Sequence, residues 1–516
     1  MLQGTSSHVG KSVLAAALCR IFYRAGYKVA PFKAQNMANN SYVTADGGEM
    51  GRAQVVQAWA AGVEPRVEMN PVLLKPTGHS CSQVIVMGRP VGNLGAKEYH
   101  KGFAQSLLDI VAQAYATLAA EFEIIVIEGA GSPAEVNLKD QEIANMRIAK
   151  MVGAPVLLVT DIDRGGALAS VVGTLELLEP DERALVAGII INKFRGDLSL
   201  LKPALDFLEK KTGKPVLGVI PYLPGSSLPE EDSVALEERY RNTPDPAGEL
   251  DIAIVLLPHI SNFTDFDALE REPGVRVRYV EVSKSLGRPD LVILPGSKNT
   301  IEDLLLLKQY GRDKEIIRLA RQGTPVVGIC GGFQMLGELI RDPFMVESST
   351  PEVEGLRLLP MITTFRQEKA TYLVEAEVAG LGPLWGLTNC GTLKGYEIHM
   401  GVSEKTAEAL PAFYIKRRGR EAVEIQDGAV SIDGHIWGTY IHGIFDNDGF
   451  RQRFVENLRC RRGLKPVEDS YRREFKAEQE ERLEELARTV ASHLDLEKLG
   501  QIMGLERPLA GGWFAS

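Results

Sequence analysis

The residue best suited to chemistry in this sequence is Cys330, in the segment PVVGICGGFQMLGELI from Pro325 to Ile340. A short apolar run precedes it, the Gly331-Gly332 pair follows, and apolar residues then recur at helical spacing. This pattern predicts a strand, a sharp turn and a helix, with the cysteine at a nucleophile elbow. The helix dipole favours a thiolate there, and the N–H of Gly331 points toward an oxyanion. A cysteine with apolar neighbours is also a common core residue, so catalysis requires a partner base.

A candidate base is His442, in HIWGTYIHGIFDN, where an alternating strand-like run ends. A cysteine and a histidine that are distant in sequence and lie at strand ends of an α/β pattern are typical of cysteine acyl-transfer sites. His399, in GYEIHMG, is the alternative base. Its strand shows an alternating packing pattern, so we interpret His399 as structural or substrate-facing.

The segments GICGGFQMLG and GTYIHGIF resemble the class I glutamine amidotransferase domain, in the branch of the cobyric acid synthases and cobyrinate diamide synthases. The resemblance implies that Cys330 and His442 hydrolyse glutamine, and that the turn at Gly296 and Ser297 supplies the second oxyanion donor beside Gly331. Many members of the wider class carry a glutamate shortly after the histidine. This chain has Ile444 there, as the branch that it resembles lacks the glutamate. The sequence therefore does not identify the residue that orients His442.

A second set of candidate residues opens the chain, in GTSSHVGKS. Five residues separate Gly4 from Gly10, one more than in the common P-loop, and this variant resembles the dethiobiotin synthetase-like P-loop enzymes. In such a loop the backbone from Gly4 and Thr5 to Gly10 cradles the phosphates of ATP. Lys11 would neutralise phosphate charge, and Ser12 would reach Mg²⁺. A glycine loop that only caps a helix is the alternative.

The run EIIVIEGAGSPAEVNL ends an apolar strand with Glu128, as a Walker B strand does. We therefore predict that Glu128 binds the same metal as Ser12, with helix capping as the alternative role. By resemblance, Asp46 helps to hold Mg²⁺. Lys33 would bind phosphate or a substrate carboxylate.

Polar residues that follow other predicted strands are candidates for substrate recognition. Asn192, in VAGIIINKFRGD, resembles the base-recognising asparagine of P-loop enzymes and offers adenine a donor and an acceptor. The candidate substrate contacts form two groups, which are Asn36, Asn39, Asn40 and Ser41, and Asp161, Asp163 and Arg164. A solvated loop, helix capping or ion pairing would also explain these residues.

The composition bounds the class of protein. With 516 residues, of which 45% are hydrophobic and 24% charged, the chain can form two or three domains. The formal net charge of -10 argues against non-specific nucleic-acid binding. Five cysteines without metal or disulfide spacing favour a reducing compartment, and neither a membrane-spanning run nor a signal pattern is found. We therefore expect a cytoplasmic protein with neither nucleic-acid nor membrane partners.

Repeated strand and helix units predict an α/β fold with two α/β domains. Residues 1–225 are predicted to form a P-loop NTPase-like parallel sheet, and residues 250–450 a class I glutamine amidotransferase-like domain. The Pro/Glu/Asp/Ser-rich stretch 226–249 is the predicted linker. Residues 451–516 are charged and amphipathic, and we expect helices that pack on the amidotransferase domain. The sequence is also compatible with a homo-oligomer.

A glutaminase joined to an ATP site predicts a ligase that converts a carboxylate to an acyl phosphate, from which ammonia displaces phosphate. The resemblance covers nearly the whole chain and implies the cobyric acid synthase family. That family uses ATP, Mg²⁺ and glutamine to amidate the b, d, e and g carboxylates of a corrinoid acid, adenosylcobyrinic acid a,c-diamide, in cobalamin biosynthesis. Cobyrinic acid a,c-diamide synthase is the leading alternative, although SYVTADGGEMGRAQ and the GTSS opening favour the first. A ParA/MinD-like regulatory ATPase with an inactive amidotransferase-like domain is disfavoured, because both Cys330 and His442 are present.

Overall fold

A parallel sheet forms the centre of the N-terminal domain in this computed structural model, which describes residues 1–78, 81–95, 99, 103, 106–139, 141–223, 248–379, 387, 390–407, 409–468 and 474–509. The strands of the domain are β1 (Leu2–Gly4), β2 (Val29–Phe32), β3 (Gln35–Met37), β4 (Ser41–Val43), β5 (Glu49–Gly51), β6 (Val72–Gly78), β7 (Cys81–Val86), β8 (Arg89–Gly95), β9 (Ile124–Ile127), β10 (Val156–Asp161), β11 (Val186–Phe194) and β12 (Val216–Pro221). Its helices are α1 (Lys11–Arg24), α2 (Arg52–Ala60), α3 (Leu108–Glu121), α4 (Met146–Val152), α5 (Ala167–Leu177), α6 (Pro180–Leu185) and α7 (Leu198–Thr212), with a short 3-10 helix at Val67–Met69.

The central strands pair in parallel as β2–β9 and as β1–β10–β11–β12. A parallel bridge between Leu2 and Glu128 connects the two groups. Strands of a parallel sheet that helices cover on both faces are buried on both sides, which explains why β10 and β11 consist largely of Val, Leu and Ile. The predicted P-loop NTPase-like sheet is therefore confirmed.

The second domain contains the predicted nucleophile elbow. Its strands are β13 (Leu250–Leu256), β14 (Ile260–Ser261), β15 (Val275–Glu281), β16 (Leu291–Leu294), β17 (Gly296–Ser297), β18 (Val326–Ile329), β19 (Leu339–Arg341), β20 (Glu352–Glu354), β21 (Met361–Val378), β22 (Leu393–Lys405), β23 (Phe413–Arg418), β24 (Glu421–Asp427), β25 (Ala429–Val430), β26 (Ile436–Thr439) and β27 (Ile441–His442). The helices that follow are α8 (Thr300–Gln309), α9 (Arg312–Arg321), α10 (Gly331–Leu336), α11 (Asp448–Arg461), α12 (Phe475–His493) and α13 (Leu496–Met503). Short 3-10 helices lie at Phe263–Phe266, Leu269–Arg271 and Ile444–Asp446.

Two sheets build this second domain. The first has the strand order β15–β13–β16–β18–β26–β25, and all of its pairs are parallel except β25–β26. The second runs β20–β19–β21–β22–β27, and β23 and β24 extend it from β21. Because parallel strands end at one edge of a sheet, the loops that follow β13, β16, β18 and β26 meet there.

The C-terminal helices correct one prediction. Helix α11 packs on the amidotransferase-like domain through Phe450, Phe454 and Leu458, and Phe475 at the start of α12 contacts Arg271 of that domain. The apolar faces of α12 and α13 instead belong to the same buried cluster as α1, and the buried Arg20 of α1 lies 2.9 Å from Glu480. The prediction that residues 451–516 pack on the amidotransferase domain is therefore wrong for α13 and for the part of α12 after its first turn. A sequence shows that a helix is amphipathic but not which surface covers its apolar face.

The two domains meet at the hairpin of β4 and β5. The rings of Tyr42 and Tyr396 pack edge to face with centroids 4.8 Å apart, and Val43 joins Tyr396 and Ile398 in a small apolar cluster. The amide of Asn262 donates to the Ser41 carbonyl (3.1 Å). Apart from residues 248 and 249, the predicted linker 226–249 lies outside the described residues.

Across the described ranges, with the gaps given above, no helix combines the length and the apolar character that crossing a membrane requires.

Candidate active site

Cys330 occupies the turn between β18 and α10, as the sequence predicts. Its backbone has φ +49° and ψ −107°, which is a strained conformation for a residue with a side chain. Its N–H donates to the carbonyl of Thr439 (2.8 Å), which fixes the turn beside β26. A Cβ atom on Gly332 would lie 1.9 Å from the carbonyl oxygen of Leu294, so only glycine lets α10 start this close to β16. The turn therefore holds Cys330 at the carboxyl edge of the sheet.

His442, in β27, is buried, lines the same pocket as Cys330 and interacts with it. Its Nδ1 atom lies 2.7 Å from Oδ2 of Asp265, and the other oxygen of Asp265 accepts the N–H of Gly443 (2.8 Å). Asp265 lies in the 3-10 helix Phe263–Phe266 and is 2% exposed. The three side chains form a Cys–His–Asp triad, in which Asp265 is the orienting residue that the sequence does not identify.

The pKa of His442 reflects its burial and its two partners. Burial alone lowers this pKa, but the charge of Asp265 and the hydrogen bonds with Asp265 and Cys330 outweigh burial and raise the pKa to about 10. The imidazole is therefore protonated at neutral pH and carries a positive charge close to Cys330. Tyr396 stacks on the ring, with centroids 5.3 Å apart, and shields it from water.

The predicted oxyanion donors lie beside Cys330. Gly296 and Ser297 form β17, and a Cβ atom on Gly331 would lie 2.9 Å from the backbone nitrogen of Ser297. The Ser297 hydroxyl donates to Asp303 (2.6 Å), so the side chain is already engaged. The backbone nitrogen of Ser297 thus lies close to Gly331, as the predicted pair of oxyanion donors requires.

His399, the alternative base, lies in β22 on the wall of the same pocket. Its Nδ1 atom lies 2.8 Å from the carbonyl oxygen of Gly401, and its ring stacks on Tyr440 with centroids 3.9 Å apart. These contacts fix the ring, which agrees with a structural interpretation of His399.

The triad faces a pocket with an empty volume of about 420 Å³. Both domains contribute to its wall, because Lys75 of β6 lines it together with Lys298, Glu347, Lys369 and Met400 of the second domain. The wall of the pocket carries charges of both signs.

Glu49 of β5 links the domains at this pocket. Its carboxylate is fully buried and lies 2.7 Å from the ammonium of Lys75 and 2.5 Å from that of Lys369. Burial raises the pKa of Glu49, but Lys369 and Lys75 together lower it to well below its usual range. The carboxylate is therefore ionised and pairs with two buried lysines, one from each domain.

The predicted P-loop connects β1 to α1. Gly10 starts the helix with φ +94°, and the ammonium of Lys11 lies over the loop, 3.2 Å from the Ser6 carbonyl and 3.1 Å from that of Gly131. A Cβ atom on Gly4 would lie 2.9 Å from this ammonium, so Gly4 leaves room for Lys11. The Thr5 hydroxyl donates to Thr160 at the end of β10 (3.1 Å). The structure thus gathers the predicted loop residues at one strand end.

Asn192, the predicted base-recognition residue, lies beside the same loop, where its amide donates to the Val9 carbonyl (2.7 Å). Its neighbour Lys193 donates to the His8 carbonyl (2.7 Å) and to Asp161 (2.9 Å). The ends of β10 and β11 therefore support the P-loop directly.

Glu128 lies at the end of β9, where the predicted metal ligand Ser12 donates to it (2.8 Å). Lys33 forms a buried ion pair with the same carboxylate (2.8 Å), and Gln57 donates to its other oxygen (2.7 Å). The amide oxygen of Gln57 is buried and has no hydrogen-bond partner within the part of the chain that the structure describes. A carboxylate, a hydroxyl and an unengaged amide oxygen fit Mg²⁺, which binds few protein oxygens and otherwise phosphates and water.

Asp46 does not join this group. Its carboxylate is exposed at the tip of the β4–β5 hairpin and accepts a hydrogen bond from Thr44. The adjacent carbonyl of Gly47 accepts the hydroxyl of Thr371 from the second domain (2.8 Å). This polar loop contributes to the domain interface, and the metal role of Asp46 stays a prediction.

The first group of predicted substrate contacts also lies in closed networks. Asn36 donates to Gln54 (2.9 Å) and accepts the N–H of Met37 (2.9 Å). Asn40 accepts the hydroxyl of Thr264 (3.1 Å), and the hydroxyl of Ser41 donates to Glu49 (2.8 Å). Asn36, Asn40 and Ser41 are all buried, so a substrate role for them is not supported. A polar loop at a strand end can join domains as well as bind a substrate.

The second group lies at the P-loop edge of the N-terminal sheet. Asp161 ends β10 and pairs with Lys193, as described above. Asp163 and Arg164 are exposed in the following turn, and Asp163 lies 3.2 Å from Arg195. Asp163 and Arg164 are therefore accessible beside the nucleotide-binding loop, whereas Asp161 supports it.

Sequence reasoning missed Asp265, Gln57 and the charged residues Glu49 and Lys298. The signal for Asp265 was the polar segment SNFTDFD directly after β13, since strand-end loops commonly carry site residues. The contribution of Gln57 arises only from tertiary packing, because α2 brings it to Glu128.

These sites and their sheets define a class of protein, a glutamine amidotransferase joined to a nucleotide-binding domain. The model of the CobB/CobQ-like glutamine amidotransferase domain matches residues 251–450, and that of the CobQ/CobB/MinD/ParA nucleotide binding domain matches residues 1–234. A cobyric acid synthase from Moorella thermoacetica is 66% identical, over 99% of this chain and 98% of its own length. A cobyric acid synthase from Pelotomaculum thermopropionicum is 57% identical, over the same shares of the two chains. The chain belongs to the cobyric acid synthase family.

Among solved structures, "Structure of PurLQS from Thermotoga maritima" matches 46% of this chain and 98% of its own chain, at 17% identity and a TM-score of 0.29.

Proposed function

We propose that this chain uses glutamine and ATP to amidate the b, d, e and g carboxylates of adenosylcobyrinic acid a,c-diamide. The observation that supports this most strongly is end-to-end similarity to cobyric acid synthases in a chain that holds both a Cys–His–Asp triad and a P-loop. Corrinoid acid, glutamine and ATP are the proposed small-molecule partners, and a cytoplasmic location accords with five unpaired cysteines.

In the proposed glutaminase half, the thiolate of Cys330 attacks the side-chain amide carbon of glutamine. The backbone N–H groups of Gly331 and of the turn at Gly296 and Ser297 stabilise the oxyanion. His442, held by Asp265, gives its proton to the leaving nitrogen, and ammonia departs as a thioester forms. His442 then takes a proton from water, which hydrolyses the thioester and releases glutamate.

In the proposed synthetase half, a corrinoid carboxylate attacks the γ-phosphorus of ATP, and ADP leaves as an acyl phosphate forms. Lys11 lies over the P-loop, where its charge stabilises the transferring phosphoryl group. When bound by Ser12 and Glu128, Mg²⁺ neutralises phosphate charge. Ammonia then attacks the acyl carbon, and phosphate leaves as the amide forms.

A single synthetase site must serve every amidation, because the sequence has one P-loop, one Walker B-like strand end at Glu128 and no internal repeat. The macrocycle must then present its carboxylates in turn to the same phosphate site. The exposed turn at Asp163 and Arg164 borders that site and suits such a broad substrate.

A panel of corrinoid acids tests this proposal. The purified protein, with ATP, Mg²⁺ and glutamine, should convert the a,c-diamide to the hexaamide, with one ADP and one glutamate for each new amide. Cobyrinic acid should not be amidated first at its a and c positions. Amidation only at a and c would instead assign the diamide synthase activity, and ATP hydrolysis without any amide would overturn the proposal.

A further inference from the structure

Lys298 is the one lysine of the glutaminase pocket whose ammonium has no partner in the described part of the chain. It follows the oxyanion turn, is 7% exposed, and lines the pocket of Cys330. Its backbone N–H donates to the carbonyl of His259 (2.8 Å), which fixes its position. No side-chain hydrogen bond or ion pair within 4 Å involves Lys298 in the described ranges, although burial lowers its pKa. An unpaired buried cation is costly, so a pocket that keeps one has a use for it.

The other two lysines of the pocket share one carboxylate partner. Glu49 binds Lys75 through one oxygen (2.7 Å) and Lys369 through the other (2.5 Å). Both of these ammonium groups therefore have a carboxylate partner within hydrogen-bonding distance, whereas the ammonium of Lys298 has none among the described residues and can bind an anion that enters the pocket.

A negative charge lies on the same wall. Glu347 lines the pocket, accepts the N–H of Thr300 through Oε2 (3.1 Å), and interacts electrostatically with Lys298. The two side chains do not form an ion pair within 4 Å among the described residues. Burial raises the pKa of Glu347, and Lys298 opposes that shift. A cation and an anion that share a pocket without closing on one another match a zwitterionic ligand.

We propose that Lys298 binds the α-carboxylate, and Glu347 the α-ammonium group, of the glutamine whose side-chain amide reaches Cys330. This inference rests on the proposed glutaminase activity and names the residues that select its substrate. Anchoring the amino-acid end fixes how far the amide can reach, so asparagine, which is one methylene shorter, is held away from the thiol.

Two variants and two glutamine analogues test the subsite. Glutamine α-amide lacks the α-carboxylate, and glutaramate lacks the α-amino group. Ammonia release is measured for glutamine and for both analogues, with ATP and corrinoid present. Lys298→Met should raise KM for glutamine and glutaramate by roughly 10- to 100-fold, with a much smaller change in kcat and little change for the α-amide. Glu347→Gln should remove most of the preference for glutamine over glutaramate.

Lys284→Met, at an exposed lysine outside the pocket, is the matched control and should behave as the wild type. Equal losses for glutamine and its α-amide in Lys298→Met, or a fall in kcat alone, would overturn the carboxylate assignment. An unchanged preference in Glu347→Gln would overturn the ammonium assignment. If the wild-type protein releases no ammonia from glutamine, the proposed function fails together with the subsite. If it does and the variants show no selectivity change, only the subsite fails.

Discussion

The Nδ1 atom of His442 lies 2.7 Å from the carboxylate of Asp265, which precedes it by 177 residues. The acid thus reaches the imidazole from the loop after β13, across the carboxyl edge of the sheet, and not from the chain that follows the histidine. Ile444 takes the position where many amidotransferases have a glutamate, and it is buried in the core. The acid of this triad therefore comes from an earlier part of the chain than the histidine that it contacts.

Replacement of Asp265 by asparagine should shift the pH dependence of glutamine hydrolysis. The carboxylate raises the pKa of His442, so its removal lowers that pKa and the imidazolium is lost at a lower pH. We expect kcat/KM to fall by about 10²-fold and its alkaline limb to move down from near pH 10. A pH–rate profile of Asp265→Asn measures both effects.

The same ion pair bears on stability. Because the folded pKa of His442 is raised, its contribution is fully present below about pH 6.5 and is lost as the pH rises toward 10. The Asp265→Asn variant should lack this alkaline loss. If the alkaline limb of the kcat/KM profile does not move in Asp265→Asn, Asp265 does not set the charge of His442.

Lys11→Ala should abolish amidation with either nitrogen source. The ammonium of Lys11 lies over the P-loop, and phosphoryl transfer is needed whether ammonia comes from glutamine or from solution. Slow glutamine hydrolysis should persist, because Cys330 and His442 are untouched. Amide formation from ammonium chloride is the assay, and normal ammonia-dependent synthesis by the folded variant would refute the phosphate role.

Glu49→Gln should destabilise the protein at the domain interface. It leaves Lys75 and Lys369 buried without their counter-charge, which typically costs about 3–5 kcal/mol and should lower Tm. Because the folded pKa of Glu49 is depressed, the wild-type stabilisation is present above about pH 4.5 and is lost as the pH falls below it.

The matched control for Glu49 is the double variant Glu49→Gln/Lys369→Met, which removes one unpaired cation and should recover part of the loss. Thermal unfolding at neutral pH compares the variants. A Tm of Glu49→Gln equal to that of the wild type would contradict a structural role for the cluster.

Partly amidated corrinoids should accumulate during the reaction when substrate is in excess. A single phosphate site cannot reach all carboxylates of a macrocycle in one orientation, so the substrate must leave and rebind between steps. Mass spectrometry of timed samples should show tri-, tetra- and pentaamides before the hexaamide. Samples that hold only the diamide and the hexaamide, even after a chase of unlabelled substrate, would indicate processive amidation.

Local patterns in the sequence were sufficient to predict the fold class and the positions of residues that lie in a defined turn or loop. Cys330 between an apolar strand and a helix, and Lys11 in a glycine-rich loop, are found where the patterns predict them. Such positions depend on neighbours in sequence, which is why one sequence reveals them.

Tertiary relationships were not predictable in the same way. Asp265 acts on a residue far away in the chain, and α12 could have covered either domain. Asn40 and Ser41 were expected to bind a substrate because they follow a strand, but the side chain of Asn40 bonds Thr264 of the other domain and that of Ser41 bonds Glu49. The type of a polar residue does not show whether its hydrogen-bond partner is a ligand or another part of the protein.

The most direct test of the whole account uses the Cys330→Ala variant and [amide-¹⁵N]glutamine. Wild-type protein, with ATP, Mg²⁺ and adenosylcobyrinic acid a,c-diamide, should place ¹⁵N on each of the b, d, e and g side chains, as mass spectrometry of the corrinoid measures. Cys330→Ala should incorporate no ¹⁵N but should still amidate the same carboxylates when ammonium chloride is supplied. Labelled corrinoid from Cys330→Ala, or loss of both activities in the folded variant, would contradict the assignment of glutamine hydrolysis to Cys330 and of amide synthesis to the P-loop domain.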